Sequence, residues 1–168
     1  MAEKSHTDRT LKTIACFVIT VSDTRDETTD TSGALVKRLL EEGGHTVADY
    51  EIVKDEPEDI RALIARALAQ SGVDAVLLNG GTGIAPRDGT FEVVSGMLDK
   101  RIDGFGELFR SLSYEDIGSA AMLSRAVAGT AGSRVVASMP GSRGAVELAM
   151  TKLLVPQLGH MVAQVRGL

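Results

Sequence analysis

Two almost continuous apolar runs, Ile14–Val21 and Val73–Leu78, constrain this chain more than any other feature. A strand with one wet face alternates apolar and polar residues. A run without alternation predicts a strand covered on both faces. Such strands need helices on both sides, and the sequence between the runs supplies them. Leu35, Val36, Leu39 and Leu40 share one helical face, with Thr31 or Ser32 placed as a cap and Gly43 and Gly44 as a stop. Thr46–Val53 reads as another strand. Ile60, Leu63, Ile64, Ala67 and Leu68 then recur at i, i+3, i+4, i+7 and i+8, which predicts a second helix ending by Gly72. Strand, helix, strand, helix, strand implies parallel strands joined by right-handed crossovers.

The second half is less regular. Thr90–Leu98 reads as a short helix, and Gly104–Leu112 as another that continues through Asp116 to Met122. Ser124–Ala128 and Arg134–Met139 read as strands around a glycine-rich turn, a short connection that favours an antiparallel pair. Ala145–Leu154 and Pro156–Val165 read as helices, with Pro156 dividing them or opening the second. The expected fold is a three-layer, doubly wound α/β domain with a mostly parallel sheet and an antiparallel edge. It covers residues 13–168, behind a polar stretch, 1–12, that reads as a flexible tail.

The 168 residues fit one domain, and a net charge of −5 argues against a duplex nucleic-acid partner. No apolar run approaches the roughly 18 residues of a membrane span, and residues 1–12 lack the apolar core of a leader. The cytoplasm is the expected compartment. The single cysteine, Cys16, excludes an intramolecular disulfide and reads as a buried small hydrophobe. Three scattered histidines show no zinc-ligand spacing.

In a parallel α/β sheet, ligands gather at the carboxyl ends of the strands. Four polar loops fall there: Ser22 and Asp23, Asp55, Gly80 to Asp88, and Pro140, Gly141 and Ser142. Gly80, Gly81 and Gly83 permit a turn whose successive N–H groups form an anion nest, with the Thr82 hydroxyl beside them. The alternative is a tight strand-to-helix turn without a ligand. No G-K-[ST] follows, so this is not a Walker A loop. Asp88 suits a Mg²⁺ that bridges phosphate oxygens, the orientation of a nucleophile, or the N-cap of the helix near Thr90. Asp55 marks a ligand-facing acid or a helix entry. Ser142 caps the following helix or helps that helix hold a phosphate.

The run Asn79-Gly80-Gly81-Thr82-Gly83-Ile84-Ala85-Pro86-Arg87-Asp88 resembles the T-G-G-T-G-x-x-x-R-D loop of the MoaB/MogA molybdopterin-binding family. Val21-Ser22-Asp23, Gly104-Phe105-Gly106-Glu107, Met122-Leu123-Ser124-Arg125 and Met139-Pro140-Gly141-Ser142 resemble further motifs of that family, in order, from about residue 12 to the carboxyl end. The resemblance implies a pterin dithiolene ligand ending in a phosphate, and transfer of AMP to that phosphate from Mg·ATP with release of pyrophosphate. The alternative is a non-catalytic carrier of molybdopterin in the same pathway. By motif, Asp88 corresponds to the principal catalytic aspartate and Asp55 to the second acid, both expected to hold Mg²⁺. Ser22, Asp23, Gly80, Gly81, Thr82, Gly83, Pro140, Gly141 and Ser142 correspond to ligand contacts. A homotrimer or homohexamer is implied, as are contacts with other proteins of the pathway. Three positions depart from the pattern: Asn79 for threonine, Gly89 after Asp88, and Arg143 for the second proline.

Overall fold

A computed structural model describes residues 10–168. Of the tail expected over residues 1–12, residues 1–9 lie outside the described residues. Leu11 donates its N–H to the Gly159 carbonyl at 3.3 Å and packs on the core.

The strands that read as apolar runs are β1 (Ala15–Val21) and β3 (Ala75–Asn79), with β2 (Thr46–Val53) following the first crossover. Helices α1 (Thr31–Glu42) and α2 (Pro57–Ala69) connect them. Beyond β3 come α3 (Thr90–Met97), β4 (Lys100–Arg101) and α4 (Asp103–Ile117), then a 3-10 turn over Gly118–Leu123. The chain ends in β5 (Val127–Ala131), β6 (Arg134–Met139), α5 (Arg143–Leu148), a π-helical segment (Ala149–Leu154) and α6 (Val155–Val165).

The sheet runs β2-β1-β3-β6-β5-β4. β2, β1, β3 and β6 are mutually parallel, and β5 and β4 form the antiparallel edge. The core divides between the two faces as a period of two requires. Cys16 and Val18 pack with α1, α4, α5 and α6 on one side; Phe17, Ile19 and Val21 pack with α2 and α3 on the other. The expected three-layer, doubly wound architecture is therefore present. Among the described residues, no helix is long and apolar enough to cross a membrane.

The differences are local. The first hairpin strand spans Val127–Ala131 rather than Ser124–Ala128, so the turn shrinks to Gly132 and Ser133, with Gly132 at φ +58°. α4 stops at Gly118, whose φ of +62° no longer fits a helix, so Gly118–Leu123 is a separate turn. Of the two places expected for Pro156, the structure shows the second: it opens the last helix at its first turn. The π-helical turn ahead of it widens the ladder, and the proline sits in the first turn of α6, where its missing N–H costs nothing. β4, two charged residues long, carries no apolar pattern and was not expected.

The cap of α1 is Asp30, one residue before the expected Thr31 or Ser32. Its Oδ1 accepts the Gly33 N–H at 2.9 Å and its Oδ2 accepts the Tyr50 hydroxyl at 2.6 Å. Thr20, which accepts from Asn79 Nδ2 at 2.9 Å, also hydrogen-bonds this carboxylate. The side chain has no solvent exposure. Burial alone would raise its pKa, but the bonds from Thr20, Tyr50 and Gly33 and the charge of Arg25 outweigh it and hold the carboxyl below its ordinary range.

Asp30→Ala removes the cap and takes a partner from the hydroxyls of buried Thr20 and half-buried Tyr50, which should cost about 2–4 kcal/mol of unfolding free energy in urea. Because the folded pKa lies below the unfolded one, the ionised Asp30 stabilises fully above the ordinary carboxylate range. That contribution is lost as pH falls through the folded value. The gap in Tm between the native protein and Asp30→Asn should therefore be widest near pH 7 and close below about pH 4. A gap that stays constant down to pH 3 would contradict this.

Candidate functional site

β1 leads to β2 on one side, while β3 leads toward β6 on the other. The crevice between the ends of β1 and β3 is thus the switch point at which doubly wound sheets bind ligands. All four loops singled out in the sequence follow parallel strands and reach this edge. Two glycines set how closely they approach. Gly80, at φ +101°, donates its N–H to Met139 O at 3.0 Å, and a Cβ on it would strike the Val21 carbonyl. Gly141 rests against Gly80, with space for a Cβ only 3.2 Å from the Gly80 Cα. Ser32 ties the last loop down by donating its hydroxyl to Gly141 O at 2.6 Å.

Gly81 follows at φ +67°. Among the described residues, the N–H groups of Gly81, Thr82 and Gly83 donate to no protein acceptor. Three consecutive amides without protein partners are what an anion nest offers. Thr82 itself is buried.

The acids are arranged around this loop. Asp55, 8% exposed, accepts the Gly89 N–H at 3.2 Å. Burial pushes its pKa up; the Gly89 hydrogen bond opposes the rise, and the charges of Asp88 and Asp23 add to it. Asp88 folds back on its own turn, with Oδ2 accepting the Ala85 N–H at 2.9 Å against the open side of Gly83. It does not cap α3: the N-cap is Gly89, with no side-chain cap bond. Asp23 is held by Arg87 through Nε at 2.7 Å and Nη2 at 3.0 Å, and it accepts the Asp55 N–H at 3.1 Å. Arg87 keeps the Asp23 carboxyl below its ordinary range and also pairs with Glu56 at 2.9 Å.

Ser22 and Ser142 serve the backbone. The Ser22 hydroxyl accepts from the N–H groups of Thr24 and Arg25, at 3.3 and 3.1 Å. Ser142 caps α5 by accepting the Ala145 N–H at 3.3 Å. Pro140 precedes Gly141 in the same turn. The structure therefore brings Gly80–Gly83, Asp23, Asp55, Asp88 and the Pro140–Ser142 turn to one edge.

Arg125 received no role from the sequence. It donates Nε and Nη2 to Gly83 O at 2.9 and 2.6 Å and pairs with Glu92. It stands between two cavities. One, of about 430 Å³, is lined by Phe91, Arg101, Glu107, Arg110 and Ser124; the other, of about 450 Å³, by Pro57, Arg61, Ile84, Pro86 and Asp88. Its partner Gly83 lies 42 residues away, and no local pattern announces such a contact.

Among the described residues, no group of three or more His, Cys, Asp or Glu side chains could hold a metal ion. A cation here would draw on Asp55 and Asp88 plus oxygens of its own ligand. That suits Mg²⁺, which commonly binds through one or two carboxylates together with substrate phosphates.

Fold and site define a doubly wound α/β protein whose sheet opens at its switch point, where free loop amides lie beside a pair of aspartates. The family model described as "Probable molybdopterin binding domain" matches residues 17–160. Molybdenum cofactor biosynthesis protein B of Bacillus cereus is 56% identical over 162 residues, covering 96% of each chain. A crystal structure of a molybdenum cofactor biosynthesis protein B superimposes with a TM-score of 0.91 at 56% identity, over 94% of this chain and 98% of that one. The tungsten cofactor synthesizing protein MoaB from Pyrococcus furiosus superimposes with a TM-score of 0.83 at 36% identity, over 93% and 99%. The chain belongs to the MoaB/MogA molybdopterin-binding family, and with it to molybdenum cofactor biosynthesis.

Gly80→Ala should be costly although it adds one methyl. It meets both an unfavourable φ and the Val21 carbonyl, at about 2 kcal/mol or more. Gly104→Ala, where a Cβ meets nothing within 4 Å, is the control and should leave the denaturation midpoint nearly unchanged. Equal midpoints for the two variants would refute the close approach of β1 and β3.

Proposed function

We propose that this protein binds molybdopterin by its terminal phosphate at the Gly81–Gly83 amides and transfers AMP to that phosphate from Mg·ATP. The observation that carries this proposal is the run of three amides without protein partners, flanked by Asp55 and Asp88. Family membership supplies the ligand class.

In the proposed reaction an oxygen of the pterin phosphate attacks the α-phosphorus of ATP. The bond from that phosphorus to the bridging oxygen breaks, and pyrophosphate leaves. Such transfers depend on positioning and charge neutralisation more than on covalent help from the protein. The pterin phosphate is already ionised near neutral pH, so neither aspartate need act as a base. Mg²⁺ bound with ATP supplies neutralisation of the phosphate charge. Asp55 and Asp88 would hold that cation; burial is the main cause of the raised Asp55 pKa, and a cation would relieve the repulsion that the Asp88 and Asp23 charges add to it. Asp23 fixes Arg87 and the Asp55 backbone, which makes it a support of the ligand site. The carrier alternative uses the same phosphate loop without ATP.

Asp88→Asn separates the two. The amide keeps an acceptor for the Ala85 N–H but loses the charge, so Tm should stay within about 2 °C of native. AMP transfer should fall a hundredfold or more, roughly what loss of one transition-state electrostatic partner costs. Adenylated pterin formed at the native rate by Asp88→Asn would defeat the catalytic role. A native protein that binds molybdopterin but consumes no ATP would establish the carrier.

We also propose that the protein assembles as a homotrimer or homohexamer. Leu108, Tyr114, Ile117, Met122 and Leu123 expose large apolar side chains along α4 and the 3-10 turn after it, and apolar patches of this kind mark interaction surfaces. Light scattering at micromolar concentration should give three or six times the chain mass. A monomer mass would rule this out.

A further inference from the structure

We infer that Arg125 is a positioning residue for the phosphate loop, orienting it through the carbonyls of Gly83 and Asp88. This rests on the function proposed above for the purpose the orientation serves. The geometry itself is independent of that function.

The guanidinium donates Nε and Nη2 to Gly83 O, at 2.9 and 2.6 Å, and Nη2 also to Asp88 O at 3.2 Å. Its remaining arm pairs with Glu92, and its plane lies over the Phe91 ring, 5.0 Å from the centroid. Phe91 and Glu92 belong to the first turn of α3, so one side chain fastens both ends of the Gly83–Asp88 turn to a helix. The side chain is three-quarters buried, at 25% exposure.

A trans peptide unit points its C=O and its N–H in opposite directions. Holding a carbonyl therefore aims the next amide. At the Asp88–Gly89 peptide the carbonyl faces Arg125, and the Gly89 N–H on the opposite side reaches Asp55 at 3.2 Å. Arg125 and Asp55 are thus joined through a single peptide, with the Asp88 side chain anchored on the same unit. At the Gly83–Ile84 peptide the carbonyl is again held by Arg125. The Ile84 N–H, on the far side, has no protein acceptor among the described residues. The cation thus fixes where one loop amide points and where both acids sit, without touching either carboxylate.

Only a planar fork meets this demand. Lysine offers the same charge from one point and cannot span two carbonyls and a carboxylate together. Arg125→Lys and Glu92→Gln separate the contributions, since the second removes the ion pair and leaves the carbonyl contacts in place. In the ligand-free protein, the Gly89 amide should exchange about tenfold faster in Arg125→Lys than in the native chain, with β1 and β3 amides unchanged. In AMP transfer, Arg125→Lys should lose roughly a hundredfold in kcat, with KM for Mg·ATP within about threefold. Glu92→Gln should stay within about threefold of native kcat. A near-native kcat for Arg125→Lys would show that charge alone matters and overturn the inference, as would unchanged Gly89 exchange. A hundredfold loss in Glu92→Gln would move the role to the ion pair and overturn it too. A native protein that transfers no AMP would remove the catalytic function; Gly89 exchange then decides by itself whether Arg125 orients the turn.

Discussion

Three parallel strands closed off from water on both faces, with a partly exposed β2 beside them, leave this chain one place to expose polar backbone: the ends of the strands. Every residue of β3 is buried, and β1 and β6 are nearly so. Their ladder hydrogen bonds are satisfied inside the sheet, and the first free amides appear past the end of β3, from Gly81 on. The position of the glycine loop thus follows from the dryness of the sheet. The closeness of the loops follows from glycine: Gly80 lies under the Val21 carbonyl and Gly141 against Gly80.

Around that loop the charges are arranged unequally. Asp23 has a guanidinium and a low pKa; Asp55 has a backbone amide and carboxylate neighbours, and its pKa is raised. Arg87 neutralises Asp23 and Glu56 at the surface, while Arg125 spends its donors on carbonyls and Glu92. The negative charge left uncompensated by protein is therefore concentrated on the acids nearest the glycines, where a divalent cation carrying phosphate would neutralise it.

Much of this was legible in the sequence because it is periodic or local. The apolar runs of β1 and β3, the five-residue stripe of α2 and the order of loops at strand ends all follow from side-chain spacing. So did the edge on which Ser22, Asp55, Gly80 and Ser142 would meet. What stayed hidden was either short or distant. β4 has two residues and no pattern. Asp30 outcompetes Thr31 and Ser32 as a cap because Thr20 and Tyr50, from other strands, complete its hydrogen bonds. Capping α3 was one of the roles open to Asp88, yet its carboxylate turns back to Ala85, a choice made within one turn of chain. The partners of Arg87 and Arg125 lie 64 and 42 residues away, so their roles emerge only when the sheet is assembled.

The order of strands also bears on how the protein is made. β6 lies in the middle of the sheet, between β3 and β5, yet it is the last strand the ribosome delivers. Until residues 134–139 emerge, β3 has a bare apolar edge, the kind of surface that templates aggregation. The bond from Ser32 to Gly141 spans 109 residues, so the ligand-facing edge cannot close on a nascent chain that stops short of it. Truncation before β6 would accordingly yield an exposed sheet with no glycine loop braced against Met139, a species for chaperones and proteases rather than a smaller working domain.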